Sequence, residues 1–253
     1  MIYDYPEYYE VAFSFRDIPR ETAFIDACIR RFSEIEVKRV LEVACGTAPH
    51  AGELARLGYR YIGLDNNRNM LDHATDKWRE LNPSPKFIEG NMVSFESPHN
   101  VDFAYVMLGS LYLNSIEEMT SHFDSVAKCL RPGGLYFLDW CVQFSDPLTR
   151  TARNVAVTKS GGVKVESRFN IRLIDFAQQM YEEVWTLDVN DHGRHRQFEM
   201  IERNRAIFPQ EFLLFVQSLT DFEMIGWWKE WDLDKPIEGD VEIDRPVALL
   251  RRK

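Results

Sequence analysis

The stretch Val40-Leu41-Glu42-Val43-Ala44-Cys45-Gly46-Thr47-Ala48-Pro49-His50 constrains this chain more than any other: an apolar strand runs into a turn of small residues that opens a helix. A strand, a tight turn and a helix N-terminus together present backbone N–H groups and the positive end of a helix dipole to an anionic ligand. Nineteen residues after Gly46 a second apolar run, Tyr61-Ile62-Gly63-Leu64, ends on Asp65. A carboxylate about 20 residues beyond the glycine turn is where such crossovers meet a ribose. The two landmarks in register predict a nucleoside-binding α/β unit.

Helical and strand periods alternate around this unit, as they do in α/β domains. A helix is expected from Pro19, with Phe24, Ile25, Cys28, Ile29 and Phe32 on its apolar face, and strand one covers 39–43. The next helix carries Ala51, Leu54 and Ala55 and stops at Gly58, and another uses Met70, Leu71, Ala74, Trp78 and Leu81 before the Asn82-Pro83-Ser84-Pro85 loop. Strand three is expected at 86–90, and strand four at 101–108, whose nearly continuous apolar run predicts burial on both faces. Ser115-Ile116-Glu117-Glu118 reads as a capping box ahead of a helix with Phe123, Val126, Ala127 and Leu130 inside. Arg131-Pro132-Gly133-Gly134 is then a turn into strand five at 135–140.

Beyond strand five the period changes to two. Val163, Val165, Phe169, Ile171 and Leu173 alternate with polar residues, and Ser160-Gly161-Gly162 and Asn190-Asp191-His192-Gly193 read as hairpin turns. An antiparallel sheet is therefore inserted here, and its charged residues, Glu182, Glu183, Arg194, Arg196, Glu202, Arg203 and Arg205, are expected on a solvated face. Pro209 opens a last helix, and strand patterns at 222–231 and 245–250 close the main sheet as a hairpin. Three segments follow: 1–148, an N-terminal helical flap and nucleotide-binding core; 149–207, the inserted β subdomain, a lid or a dimerisation element; and 208–253, which completes the core sheet.

Composition narrows the function classes. A chain of 253 residues, 45% hydrophobic, can bury one large domain or one with a smaller appendage. The formal net charge of −10 argues against a broad nucleic-acid or anionic-membrane surface, and no apolar run approaches the ~20 residues that span a bilayer. Four scattered cysteines with no CxxC pair, and no leader segment, predict reduced thiols, a cytoplasmic protein and no metal site.

With these residues in place, the chain resembles the class I S-adenosylmethionine (SAM)-dependent methyltransferases of the small-molecule type. The resemblance rests on the 42–50 loop, on Gly63-Leu64-Asp65-Asn66-Asn67, on the Glu89-Gly90-Asn91-Met92 turn, and on Leu130-Arg131-Pro132-Gly133-Gly134. It implies a Rossmann-like, doubly wound, seven-stranded α/β sheet with an antiparallel terminal strand, and SAM as cofactor. The final hairpin is also what a nicotinamide-binding domain lacks. The implied cofactor set is Glu42, Ala44, Cys45, Gly46 and Ala48 in the loop, with Asp65 on the ribose. Asn66 and Met70 flank the adenine, Asn91 and the Met92 backbone meet its edge, and Leu108 lies at the end of strand four. Three positions depart from the family pattern: Asn91 stands where Asp is usual, Ala48 replaces the final glycine, and Pro49-His50 follows it.

Tyr9, Tyr112, Asn114 and Trp140 are the candidate substrate contacts, because ligands bind outside the carboxyl ends of parallel strands and aromatic side chains suit a dry roof. The tryptophans Trp227, Trp228 and Trp231 are read chiefly as packing. Cys45 is read as a small packed residue, and His50 as a surface or first-turn residue. The catalytic base, if one is used, is not identified. The expected activity is methyl transfer to N or O of a small molecule, by a monomer or a homodimer. A SAM-binding regulatory module and a nicotinamide-dependent oxidoreductase are the alternatives.

Overall fold

The computed structural model describes residues 1–148, 155–229, 231–239, 243 and 245–253. Five strands, β1 (Arg39–Val43), β2 (Arg60–Asp65), β3 (Lys86–Glu89), β4 (Val101–Val106) and β5 (Leu130–Asp139), run parallel to one another. Two later strands, β10 (Phe222–Trp228) and β11 (Val247–Arg252), complete a sheet of order β10-β11-β5-β4-β1-β2-β3, in which β11 is antiparallel to both its neighbours. The strand order reverses between β1 and β4, so a crevice opens above their carboxyl ends.

Period-two alternation sends each strand's side chains into two separate cores. Leu41, Val43, Ile62, Leu64 and Val106 face α5 (Ile116–Cys129) and α6 (Pro209–Leu219). Val40, Tyr61, Phe103 and Tyr105 face α2 (Ile18–Phe32), α3 (Ala51–Arg56) and α4 (Arg68–Trp78). The helices start where side chains satisfy their open N–H groups: Asp17 accepts from Arg20 N, Asn67 from Met70 N, and Ser115 from Glu118 N. The expected capping box at α5 closes differently, since Glu118 reaches Asn114 N at 2.7 Å.

Three element boundaries differ from expectation. The Arg131-Gly134 stretch lies inside β5, which starts at Leu130 and shifts register opposite Val101 and Phe103. The last sheet hairpin is shorter, because β10 ends at Trp228. The tyrosine-rich N-terminus forms elements of its own: a 3-10 turn (Ile2–Asp4) and α1 (Pro6–Ala12).

The insert is a second antiparallel sheet, β6 (Val155–Ser160), β7 (Val163–Asp175), β8 (Met180–Asp191) and β9 (Arg194–Arg205), in chain order. Both expected hairpins form, and the pairs Gly161-Gly162 (φ 56° and 82°) and His192-Gly193 (50° and 87°) take the left-handed backbone that two-residue hairpins need. The expected start of the insert at 149 falls outside the described residues. The inner face of this sheet is apolar, and it rests on the N-terminal elements: Val165, Leu187, Val189 and Met200 pack on Ile2, Tyr8, Val11 and Ala12. Tyr8 also donates its hydroxyl to Asp191 at 2.9 Å.

Candidate active site

Four non-glycine residues with left-handed backbone gather at the carboxyl ends of β1, β4 and β5: Ala44 (φ 56°), Ala48 (51°), Leu108 (58°) and Trp140 (60°). Such conformations cost on the order of 1 kcal/mol each, and they persist where neighbouring structure fixes them. The fixing contacts are present. Trp78 Nε1 donates to Ala48 O at 2.9 Å, Cys45 N to Leu64 O at 3.0 Å, and Leu108 N to Asp139 Oδ2 at 2.8 Å.

Asp65 ends β2 beside this loop. Its Oδ2 accepts Gly46 N–H at 2.8 Å and its Oδ1 accepts Asn67 N–H at 2.9 Å, so each oxygen keeps a lone pair for another donor. Burial raises its carboxyl pKa above the usual value, against those backbone donors. A Cβ placed on Gly46 would lie 3.9 Å from the Tyr9 ring, which puts Tyr9 directly over the loop. A pinned carboxylate facing a turn of small residues, with Gly46 at its centre, suits a ribose diol and the groups attached to it.

Below the loop lies a buried ionic cluster that the sequence reading missed. His50 is fully buried, not at the surface; Nδ1 lies 3.0 Å from Glu42 Oε1 and Nε2 lies 3.0 Å from Glu21 Oε2. Burial alone disfavours the charged ring, but the two carboxylates outweigh it and raise the His50 pKa. The other oxygen of Glu42 accepts the hydroxyls of both Tyr61 and Tyr105. Glu21 also binds Arg16 at 2.5 Å and Arg245 at 3.0 Å, and Arg245 grips Asp139 at 2.7 Å. Three carboxylates, Glu21, Glu42 and Asp139, thus gather around Arg16, His50 and Arg245. The cluster ties the N-terminal flap, the β1 loop and the end of β5 together, and through Asp139 it holds Leu108.

The crevice is roofed by the insert. Tyr3, Tyr9, Phe13, Leu108, Ser110, Tyr112, Glu183, Trp185, Met200 and Glu202 line one cleft. Tyr9, Leu108 and Tyr112 were anticipated there. Glu183 and Glu202 were assigned to a solvated face, and the structure turns them inward. The signal was legible: Trp185, Leu187 and Val189 fix the buried parity of β8, and Glu183 shares it.

Other expected contacts are placed as follows. Glu42 lies beneath the loop, in line with Val40, so it supports the turn from the core side. Ala44 and Gly46 line the turn; Cys45 is packed beside Gly63 with its thiol pKa raised by burial, and Ala48 is buried. Met70 is buried in the first turn of α4, and Asn66 is exposed. Asn91 accepts Val93 N at 2.9 Å, which folds its side chain back on its own turn. Met92 gives its carbonyl to His122 Nδ1 at 2.7 Å; burial holds His122 neutral, with a pKa of about 4, and its Nε2 accepts from Tyr136. Asn114 is exposed at the start of α5, away from the cleft lining. The Trp140 carbonyl lies against Gly109, 3.1 Å from where a Cβ would stand. Trp227 packs on Phe144, Trp228 on Phe32, and Trp231 on Phe24 under Arg245.

This topology, a seven-stranded sheet with an antiparallel final hairpin and an antiparallel insert, is the fold of solved SAM-dependent methyltransferases. Residues 40–134 match a family model described as a methyltransferase domain. The chain is 28% identical over 152 residues to the dTDP-3-amino-3,4,6-trideoxy-alpha-D-glucopyranose N,N-dimethyltransferase of Streptomyces venezuelae, covering 54% of this chain and 62% of that protein. Among solved structures it is similar to Streptomyces venezuelae DesVI (18% identity, 97% and 98% coverage of the two chains, TM-score 0.79). It is also similar to SAM-bound CalS10, an amino pentose methyltransferase of Micromonospora echinaspora (18% identity, 97% and 96%, TM-score 0.72). The chain spans about half the length of the curated relatives it matches.

Proposed function

We propose that this protein transfers a methyl group from SAM to a nitrogen or oxygen of a small-molecule acceptor. The observation that carries the reading is Asp65, held by Gly46 N–H and Asn67 N–H with a lone pair free on each oxygen, at the end of β2 beside an open turn. When bound, SAM supplies a methyl group activated on a sulfonium. Asp65 would take the ribose hydroxyls as a charge-assisted acceptor. The backbone of residues 44–48 would take the methionine end, and the Met92 N–H the adenine edge. Tyr9, Leu108 and Tyr112 bound the space above the loop, where they exclude water and limit how an acceptor can lie. The small-molecule acceptors named for the relatives support the same kind of acceptor here.

Titration calorimetry with S-adenosylhomocysteine tests this, with NADH as control. Micromolar binding is expected for the wild type. Asp65→Ala removes two charge-assisted contacts of about 1.5 to 3 kcal/mol each, so binding should fall at least about a hundredfold. Binding of NADH without S-adenosylhomocysteine would replace this reading with the oxidoreductase one.

A further inference from the structure

A polar ring sits in the apolar core directly behind the turn that follows β3. His122, on the inner face of α5, is fully buried, and the rings of Phe95, Phe123 and Tyr136 lie 5.7 to 6.2 Å from it between centroids. Leucine would fill such a place with no polar atom, whereas an imidazole is tolerated there only with both nitrogens paired. Both are paired, and the partners fix the position of the proton. The Met92 carbonyl can only accept, so Nδ1, 2.7 Å away, carries the hydrogen. Burial keeps the ring neutral, with a pKa of about 4, so Nε2 has a lone pair and accepts the Tyr136 hydroxyl at 2.5 Å.

What this ring holds is a turn. It begins beside Asp65, where Gly90 N donates to Asp65 O at 2.9 Å. The Asn91 carbonyl then accepts Ser94 N–H at 3.1 Å, and the Asn91 side chain accepts Val93 N–H at 2.9 Å. Ser125, three residues after His122 on α5, accepts Phe95 N–H at 3.2 Å, so the helix grips the turn at both Met92 and Phe95. A trans peptide sets its N–H opposite the preceding carbonyl, and the Met92 N–H therefore points away from the Asn91–Ser94 bond, out of the turn. It has no acceptor among the described residues.

We propose that His122 is the positioning residue that lets this turn select adenine: by holding the Met92 carbonyl it fixes the adjoining N–H where it donates to the unprotonated N1 of the base. The role rests on the methyl-transfer reading above, which sets the adenine edge at Met92. Hypoxanthine carries a hydrogen on N1, so it would set donor against donor and leave both without a partner. The Asn91 oxygen is already turned back on Val93 N–H, and discrimination at this edge falls to Met92.

Titration calorimetry would compare S-adenosylhomocysteine with S-inosylhomocysteine. The wild type should prefer the adenine compound by about tenfold or more. His122→Leu leaves the Met92 carbonyl unheld, and the ratio should fall to about threefold or less, with the loss falling mainly on S-adenosylhomocysteine. His122→Asn, whose amide nitrogen is attached at the same Cγ as Nδ1, should restore most of the ratio. Damage to packing alone would weaken both ligands alike and leave the ratio unmoved, which would overturn the proposal, as would a wild type that does not distinguish the two. Nitrogen NMR of the ligand-free wild type, with labelled histidines in neutral buffer, should show a neutral ring protonated at Nδ1 that is missing from the His122→Asn spectrum. A His122 ring protonated at Nε2 would equally overturn the proposal, and this arm stands even if His122→Leu misfolds. Failure of both compounds to bind the wild type counts against the methyl-transfer reading and removes this role with it; ordinary S-adenosylhomocysteine affinity with an unmoved ratio removes the role of His122 alone.

Discussion

The surroundings of His50 favour its protonated form. Burial would neutralise an imidazole, yet carboxylates lie 3.0 Å from each of its ring nitrogens, and its pKa is raised. A raised folded-state pKa contributes stability that is complete below the usual histidine value of about 6.5 and is lost as pH rises through the folded value. The Tm gap between wild type and His50→Gln should therefore be widest below about pH 6.5 and narrow in alkaline buffer; a gap that does not change with pH would count against an imidazolium there. Glu21 has the opposite sign. Burial opposes its ionisation, but His50 and Arg16 hold its pKa at about 2, below the ordinary 4.5, so its contribution is present above 4.5 and is lost as pH falls through about 2. Asp65 and Cys45 were legible in the sequence because motif spacing fixes them. The environment of His50 was not, because Glu21 lies on another helix and no local period links the two.

At the scale of elements, the close approach of β2 to the β1 loop depends on Gly63. A Cβ there would stand 2.6 Å from Cys45 Sγ and 3.1 Å from the Phe87 ring. Gly63→Ala should cost about 1 to 3 kcal/mol, read as a lower urea midpoint with unchanged slope. Adding Cys45→Ala should recover part of that loss, because the two sites share the clash; strict additivity would refute the contact. The helices and strands of the main sheet were readable from their periods and caps. The short α1 was not: its tyrosines gave no helical stripe, and their burial comes from Leu187, Val189 and Met200 in the insert. The Arg131-Gly134 turn was also misplaced, since β5 continues through Gly133, whose φ of 79° bends the chain without ending the strand.

For the whole molecule, Arg245 links α2 to the end of β5 through Glu21 and Asp139, alongside the Phe24–Phe137 ring contact between the same two elements. Asp139 is fully buried, so Arg245→Met leaves a carboxylate without its cation. The expected loss is about 3 to 5 kcal/mol in chemical denaturation, and S-adenosylhomocysteine affinity should fall as well, because Asp139 also holds Leu108 N–H. Denaturation within 1 kcal/mol of wild type would show the bridge to be dispensable. The insert followed from the sequence because its period-two pattern and hairpin turns are local signals, whereas the seven-stranded sheet was implied by the family resemblance and its strand order comes from the structure. Which face of the insert looks into the cleft depended on docking between distant segments.

The Glu21–Arg245 bridge spans 224 residues of sequence, and that separation orders events in time. A ribosome delivers Glu21, His50 and Glu42 early and Arg245 much later. Until then the acidic side of the cluster lacks one of its counter-ions, and Asp139 has no guanidinium to justify its burial. Loop closure over so long a stretch is slow relative to local pairing. The parallel strands can assemble during synthesis, but the floor of the cofactor cleft is among the last parts of the protein to become competent.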